Sequence, residues 1–524
     1  MMNTCGRAML AVLWMFILPV ANAPGQTRFE PNWQSLKQYQ CPQWFRDAKF
    51  GIFMHWGVNT VSEYDDHYGR YMYIQDPSEI KKSFHKCVYQ HHVKTYGHPS
   101  VFGYKDFIPM WKAQKWDPDE LVRFYKQIGA RYIVPVAVHC DNFDNYDSSY
   151  QPWNSVKMGP KQDIVGRWKQ AAEKHGLRFV VSSHLGDWVQ VWYSRACDKT
   201  GPLAGVPYDV CDPNYAGLYG DRGDDRSQMP EDFPQNWYLR TKELIDKYRP
   251  DLLYFDSGLP YDQYGLKIAA HFYNANMAWH GGQLQAVLNV KRDFEEGAIV
   301  YDIEKGQAKE LLPLPWQTDT TINSGWFYQT RQYGHGYEMP SGFCLDETVL
   351  IDNLVDIVSK NGNLLLNIGL RADGTLPDDQ RRILQELGDW LAVNGEAIYQ
   401  TRPWIIYGEG PTKIETGFDT EPRQPWSKKD IRFTTKGEIL YAIALDWPGW
   451  RSFTVKSLSD CQAALGPIES VTLLGHKDPL KWKRDKKGLT IFLPREKPCK
   501  YAFVFKITPA KSPDKKADNV LNAP

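Results

Sequence analysis

Six ionisable residues stand where apolar runs stop. His55 follows "FGIFM", His139 follows "VPVAV", His184 follows "RFVVSS", Asp256 follows "LLYF", Arg292 closes "AVLNVKR" and Glu304 follows "GAIVYDI". Carboxyl groups can attack an electrophilic carbon or carry a proton, while imidazole and guanidinium donate hydrogen bonds to hydroxyls. Singly, each has an ordinary reading. Asp256, followed by Ser257 and Gly258, serves equally well as a helix cap or an Asx turn, and a lone histidine is commonly a hydrogen-bonded buried group. Placement at one end of a common set of strands raises the case for chemistry, because the C-terminal strand ends of a parallel barrel build its active site.

The runs themselves read as such strands. "FGIFMHW" (50–56), "RYIVPVAVHC" (131–140), "LRFVVSSH" (177–184), "DLLYFD" (251–256), "AVLNVKR" (286–292) and "NLLLNIG" (363–369) are nearly continuously apolar, as strands buried on both faces must be. Helical patterns lie between many of them. In "DPDELVRFYKQIGA" Asp117 predicts an N-cap, Pro118 the first helical position and Glu120 a capping box, with Leu121, Phe124, Tyr125 and Ile128 on one face and Gly129 as the stop. "GRWKQAAEKHGL", "YLRTKELIDKY", "VLIDNLVDIVSK" and "DDQRRILQELGDWLAVNG" repeat the helical pattern. The fold class is α/β, a (β/α)₈-like TIM barrel over residues 24–404. After Trp404 the pattern changes to antiparallel strands, including a hairpin turning at Lys436-Gly437, which predicts a C-terminal antiparallel β-sandwich over 405–508. The polar tail 509–524 reads as disordered.

The chain has 524 residues, with Lys+Arg 62 balancing Asp+Glu 62, so neither a nucleic-acid footprint nor a basic membrane-binding surface is expected. Arg7, an apolar run to Val20 and the small-x-small Ala21-Asn22-Ala23 read as a signal peptide over 1–23, which predicts a secreted or periplasmic protein with no membrane span after cleavage. Eight of the nine cysteines lie beyond it without CxxC spacing, so no zinc framework is expected, although one or two bridges are permitted. Aromatic residues reach 14% with Trp 20, and aromatic faces suit the apolar sides of sugars, while core packing accounts for most of them.

The stretches "AKFGIFMHWG" (48–57), "YGRYMY" (68–73), "YKDFIPMWKAQKWDPDELVRFYKQIGARY" (104–132), "HCDNFDNYDS" (139–148), "MGPKQDIVG" (158–166), "PDLLYFDSG" (250–258), "PWQTDTTINSGWFY" (315–328) and "LVDIVSKNGNLLLNIGLRADGTLP" (354–377) resemble the α-L-fucosidases of glycoside hydrolase family 29. That resemblance implies retaining hydrolysis of a terminal α-L-fucosyl group from a fucosylated glycan, with no metal and no cofactor. It makes Asp256 the nucleophile and Glu304, in "D-x-E-x-G", the acid/base, with Glu295, Glu296 and Asp302 as nearby competitors. Exposed loop charge is the reading preferred for Glu295 and Glu296. Sugar recognition falls to His55, Trp56, Asp66, Tyr68, His139, His184, Arg292 and Trp326, with Trp56 equally well a core residue.

Three departures from the family pattern reshape the pocket: Cys140 where a second histidine is common, Asp66-His67-Tyr68 for "EWY", and Ser182-Ser183 before His184 for a tyrosine pair. They leave three rivals to a fucosidase. One is an α-L-galactosidase-like hydrolase with the same machinery, one a catalytically silent carbohydrate-binding protein, and the weakest a metal-dependent hydrolase using the ligand types in "HCDNFD". The oligomeric state is left open.

Overall fold

The computed structural model describes residues 28–510 except 187–188, 222–227, 324, 331–332, 335–336 and 339–344. The expected signal peptide and residues 511–524 of the expected tail lie outside the described residues, while Pro509 belongs to the last strand of the C-terminal sheets.

Eight strands close a barrel: β1 (Phe50–Met54), β2 (Tyr132–Val138), β3 (Arg178–Ser183), β4 (Leu252–Phe255), β5 (Val287–Val290), β6 (Val300–Asp302), β7 (Trp316–Thr321) and β8 (Gly362–Ile368). Each pairs in parallel with its neighbours, and β8 closes onto β1 with Phe50 opposite Leu364. Seven of the eight contribute an almost wholly buried run, and their sequences are largely apolar rather than alternating, except β7, whose buried "WQTDTT" is mostly polar. Gly51 in β1 is required by a close approach: a Cβ there would stand 2.4 Å from the Tyr132 ring of β2.

Helices α1 (Pro118–Gln127), α2 (Ile164–His175), α3 (Phe233–Tyr248), α4 (Gln263–Trp279), α5 (Glu347–Ser359) and α6 (Asp378–Asn394) follow β1, β2, β3, β4, β7 and β8. The Asp117 side chain caps α1 by accepting from the backbone of Asp119 and Glu120. Glu120 does not complete a capping box; its carboxylate pairs instead with Arg381 of α6 at 3.2 Å, a tertiary ion pair that outcompetes the local one. No helix lies between β5 and β7, where all residues are described. The barrel wall is therefore thinnest on that side.

The C-terminal strands are β9 (Arg402–Glu409), β10 (Ile431–Lys436), β11 (Ile439–Ala444), β12 (Ser452–Val455), β13 (Ile468–Leu473), β14 (Trp482–Asp485), β15 (Gly488–Phe492) and β16 (Phe503–Pro509). They form antiparallel sheets in the orders β9-β10-β11-β16-β13 and β12-β15-β14. Their inner faces share a core that includes Phe433, Leu473, Leu489 and Phe505. Lys436 pairs with Ile439, so the predicted hairpin turns through Gly437, whose φ of 60° is the left-handed conformation such a turn needs. Asp356 on α5 joins the two modules by bonding Arg432 of β10 (2.5 Å to Nε) and Lys360 (2.7 Å).

Candidate active site

The strands deliver polar side chains to one end of the barrel. Asp256 follows β4, and Tyr254 two residues earlier donates its hydroxyl to Asp319 Oδ2 of β7 at 2.9 Å. Lys291, just past β5, puts its ammonium 2.5 Å from Asp256 Oδ1 and 3.4 Å from Asp319 Oδ2, and the same nitrogen bonds Glu304 Oε2 beyond β6. Two carboxylates that share one ammonium are close neighbours, as the two carboxyl groups of a retaining glycosidase must be. Deeper in the barrel, Gln317 donates to Asp302 Oδ2 at 2.7 Å and accepts from Tyr132 at 2.8 Å.

Burial acts to raise the pKa of Asp256, Glu304 and Asp302, and the local charges then separate them. At Asp256 burial is outweighed by the Lys291 ammonium and by His184, whose Nδ1 lies 3.2 Å from Oδ2, so the carboxyl is held well below its usual range. At Glu304 burial prevails over Lys291, with Asp319 and Asp256 adding to it, and the carboxyl is pushed up to about 7. Asp302 is pushed well above the carboxylate range by burial and then by Asp319. Burial would discharge Lys291, but the surrounding carboxylates hold its pKa well above the ordinary lysine value. One carboxylate ionised beside one carboxyl that keeps its proton near neutral pH is the division of labour an acid-assisted displacement requires.

Three histidines line the other side. His55 Nδ1 is 2.7 Å from Asn367 Oδ1, an atom that only accepts, so the proton sits on Nδ1 and Nε2 is left as an acceptor. The Asn367 amide donates in turn to the Trp326 carbonyl at 2.7 Å. His139 Nδ1 is buried without a hydrogen-bond partner among the described residues. Burial, then the neighbouring His184, keeps His55 and His139 well below the usual imidazole value, hence neutral. Their donor atoms and that of His184 lie within 4.8 Å of one another, as do those of Asp66, His67 and His85, and either set has the residue types to hold a metal ion. Trp326 closes the space, its ring 5.1 Å from His55 and its backbone N–H donating to Asp66 at 3.3 Å. Cys140 is buried, with its thiol directed at the His184 carbonyl at 3.2 Å.

The structure thus brings together Asp256, Glu304, His55, His139, His184, Trp326 and Asp66. It places three other expected residues elsewhere. Trp56 packs edge-on against Trp111 at 5.1 Å and donates its indole N–H to the Arg371 carbonyl, a core role. Tyr68 is buried in an aromatic cluster with its hydroxyl 3.1 Å from His92 Nδ1. Arg292 leaves about half its side chain, 52%, exposed, with Nε 3.4 Å from Asp293. Of the competitors for Glu304, Glu295 pairs with Lys37 at the surface, Glu296 is exposed, and Asp302 lies in the Gln317 network.

Lys291, Asp319, Asn367 and His67 are the residues the sequence reading passed over. A signal for the first two exists in strand alternation: Phe53 and His55, Ser182 and His184, Tyr254 and Asp256, Asn289 and Lys291, Asp302 and Glu304, and Gln317 and Asp319 are all i, i+2 pairs. Side chains two apart share a face, so Lys291, not Arg292, shares the barrel-facing parity.

The comparisons with known proteins agree with this architecture. The alpha-L-fucosidase family model matches residues 16–396, and the model of the alpha-L-fucosidase C-terminal domain matches 424–508. The chain is similar to the tissue alpha-L-fucosidase of Bos taurus, 29% identical over 92% of each chain, and to the alpha-L-fucosidase of Branchiostoma floridae, 29% identical over 94% of this chain and 98% of that one. Among solved structures it is similar to the Thermotoga maritima alpha-fucosidase in complex with fucose, at 28% identity and a TM-score of 0.68, covering 92% of this chain and 100% of that one.

Proposed function

The chain belongs to the alpha-L-fucosidase family, and on that premise we propose that it is a retaining, exo-acting α-L-fucosidase that removes terminal α-L-fucosyl residues from glycans by double displacement. The observation that carries this reading is the single ammonium of Lys291 held between Asp256 and Glu304. Asp256, kept ionised, attacks the anomeric carbon as the glycosidic bond breaks, while Glu304 gives its proton to the departing oxygen. A fucosyl ester on Asp256 and a free hydroxyl on the leaving group result. Glu304, now a carboxylate, takes a proton from water; that water attacks the same carbon, releases fucose and regenerates both groups.

The positive charge that develops at the sugar ring is met by Asp256, whose ionisation Lys291 secures. His55 Nε2 and the unpartnered His139 Nδ1 are positioned for sugar hydroxyls, and Trp326 for the apolar face and methyl group of fucose. The similar Thermotoga maritima alpha-fucosidase has been solved in complex with a mechanism based inhibitor, which is in keeping with this reading. No helix among the described residues is long and apolar enough to cross a membrane. The leader-like stretch 1–23 supports export and action on glycans outside the cytoplasm.

The test is nitrophenol release from aryl α-L-fucoside and aryl α-L-galactoside by the wild type and by Asp256→Asn. Fucoside turnover is expected, reduced in the variant by about 10⁴-fold or more, as is typical when a nucleophile is removed. Undiminished turnover in the variant would take the nucleophile role from Asp256. Preference for the galactoside would move the substrate, and no turnover on either would overturn the reading.

A further inference from the structure

The stretch between β9 and β10 does not stay with the C-terminal sheets. It crosses to the barrel mouth on the side where no helix separates β5 from β7. There the backbone N–H of Asp419 donates to the carbonyl of Glu304 at 3.1 Å, and that of Glu421 to the carbonyl of Lys305 at 2.9 Å. Lys309 N–H donates to Thr416 Oγ1 at 2.6 Å, and Thr320 of β7 donates its hydroxyl to Glu421. The two segments touch so closely at Gly306 that a Cβ there would lie 2.0 Å from the Gly417 carbonyl oxygen. This explains the glycine of "D-x-E-x-G": no side chain fits between the acid's own loop and the visiting one.

Phe418 sits in the middle of this anchored segment and is 62% exposed. A phenyl ring left in water between residues bonded on both sides is held ready for a partner at little further entropic cost. Asp419 beside it presents a half-buried carboxylate with Arg423 Nη2 at 3.5 Å. On the other flank of Glu304, the Lys305 ammonium lies 4.8 Å above the Trp326 ring.

A general acid must stand beside the oxygen that departs, so whatever is attached to that oxygen occupies the space bordering Glu304 on the side away from Asp256. We propose that Gly417–Glu421 forms the leaving-group subsite and binds the pyranose to which fucose is linked. Phe418 stacks on the apolar face of that sugar and Asp419 accepts from its hydroxyls. The C-terminal module thereby supplies part of the substrate pocket, in addition to bracing the barrel. This inference rests on the fucosidase reading with Glu304 as the acid.

Three substrates separate the two ideas. α-L-Fucosyl fluoride has no leaving sugar, aryl α-L-fucoside has a flat one, and a panel of α-L-fucosyl disaccharides has the pyranose itself. In Phe418→Ala the ratio of kcat/KM for the best disaccharide to that for the fluoride is expected to fall about three- to tenfold, the range of aromatic stacking, and in Asp419→Asn, which loses the charge but keeps an oxygen to accept, by a similar factor. Phe418 is exposed, so its loss leaves the core intact. An unchanged ratio in both variants overturns the subsite while the fucosidase reading stands. A wild type that cleaves neither the fluoride nor the aryl fucoside overturns the reading beneath it, and the subsite with it.

Discussion

Two buried charge clusters lie at different ends of the same α/β scaffold, and they are built on opposite principles. At the junction with the C-terminal module, Asp356 bonds Arg432 and Lys360, and the surplus positive charge is met by aromatic faces: Arg432 lies 4.7 Å over Trp426 and Lys360 4.6 Å over Tyr407. At the barrel mouth one cation, Lys291, faces Asp256, Glu304 and Asp319, with Asp302 behind them. There is not enough positive charge to go round, so some acids must keep protons. Asp319 and Asp302 each have an oxygen, Oδ1, buried without a partner among the described residues. The Asp356 pair, satisfied by its own protein, fixes structure, although Asp352 beside it is pushed up to about 8 by burial with Oδ1 unpartnered among the described residues; the mouth, short of charge, keeps protons available for transfer.

The comparison breaks if the mouth's retained proton does no chemistry. Glu304→Ala is expected to lower kcat/KM by about 10²–10⁴-fold on disaccharides, whose leaving groups need protonation, and far less on aryl fucosides with acidic phenols. Azide, which needs no general base to attack the intermediate, should restore part of the rate. Equal losses on both substrate types with no azide rescue would move the acid/base role to another carboxyl.

The junction gives the complementary test, because there the expected effect is on stability. Asp356→Ala leaves Arg432 buried and unpaired, and removing one partner of a buried pair costs about 3–5 kcal/mol. Lys360 can soften the loss, since burial already holds it below its ordinary value and it can discharge. Denaturant titration should show the drop in midpoint, with fucoside turnover per folded molecule retained. Asp256→Asn, made in the cluster that is already short of positive charge, should leave that midpoint nearly where it was. A large destabilisation by the mouth variant and none by the junction variant would reverse the assignment of roles.

The barrel was legible because strands buried on both faces need apolar residues at successive positions, and each quoted run overlaps the strand it predicted, the last barrel strand starting one residue earlier at Gly362. The Asp117 cap was legible for a local reason, its side chain reaching only two or three residues along the chain. Glu120 was not, since Arg381 is remote in sequence. The bare side between β5 and β7 left no sign either, because a missing helix has no motif, and what borders it comes from a stretch more than a hundred residues later. Within the site, Asp256 and Glu304 stood out as carboxylates at strand ends. Lys291 was passed over for Arg292 because the apolar run was read to its last charged residue, whereas strand alternation assigns the inward face by parity.

Lys291 also gives the finest test of the charge-poor mouth, through pH. Asp256 must be ionised and Glu304 protonated, so kcat/KM should fall on the acid side well below the usual carboxylate range and on the alkaline side near Glu304's value of about 7. The ammonium stabilises the ionised form of both acids; an opposite charge this close generally lowers a carboxyl by about 1–3 units. Replacing it in Lys291→Met therefore raises both, and both limbs of the profile should move to higher pH. His184 still faces Asp256, and Asp319 still faces Glu304, so the limbs should shift unequally. As the pH falls into the ordinary carboxylate range the variant should lose kcat/KM that the wild type keeps, because Asp256 gains a proton there, and it should gain on the wild type at pH 8, where wild-type Glu304 has already lost its own. Lys291→Arg, which keeps the charge, should restore the wild-type limbs even if its bulk lowers the maximum. A uniform loss across pH in Lys291→Met, with both limbs in place, would mean that the lysine merely holds the two side chains apart and that the mouth's shortage of positive charge has no part in the reaction.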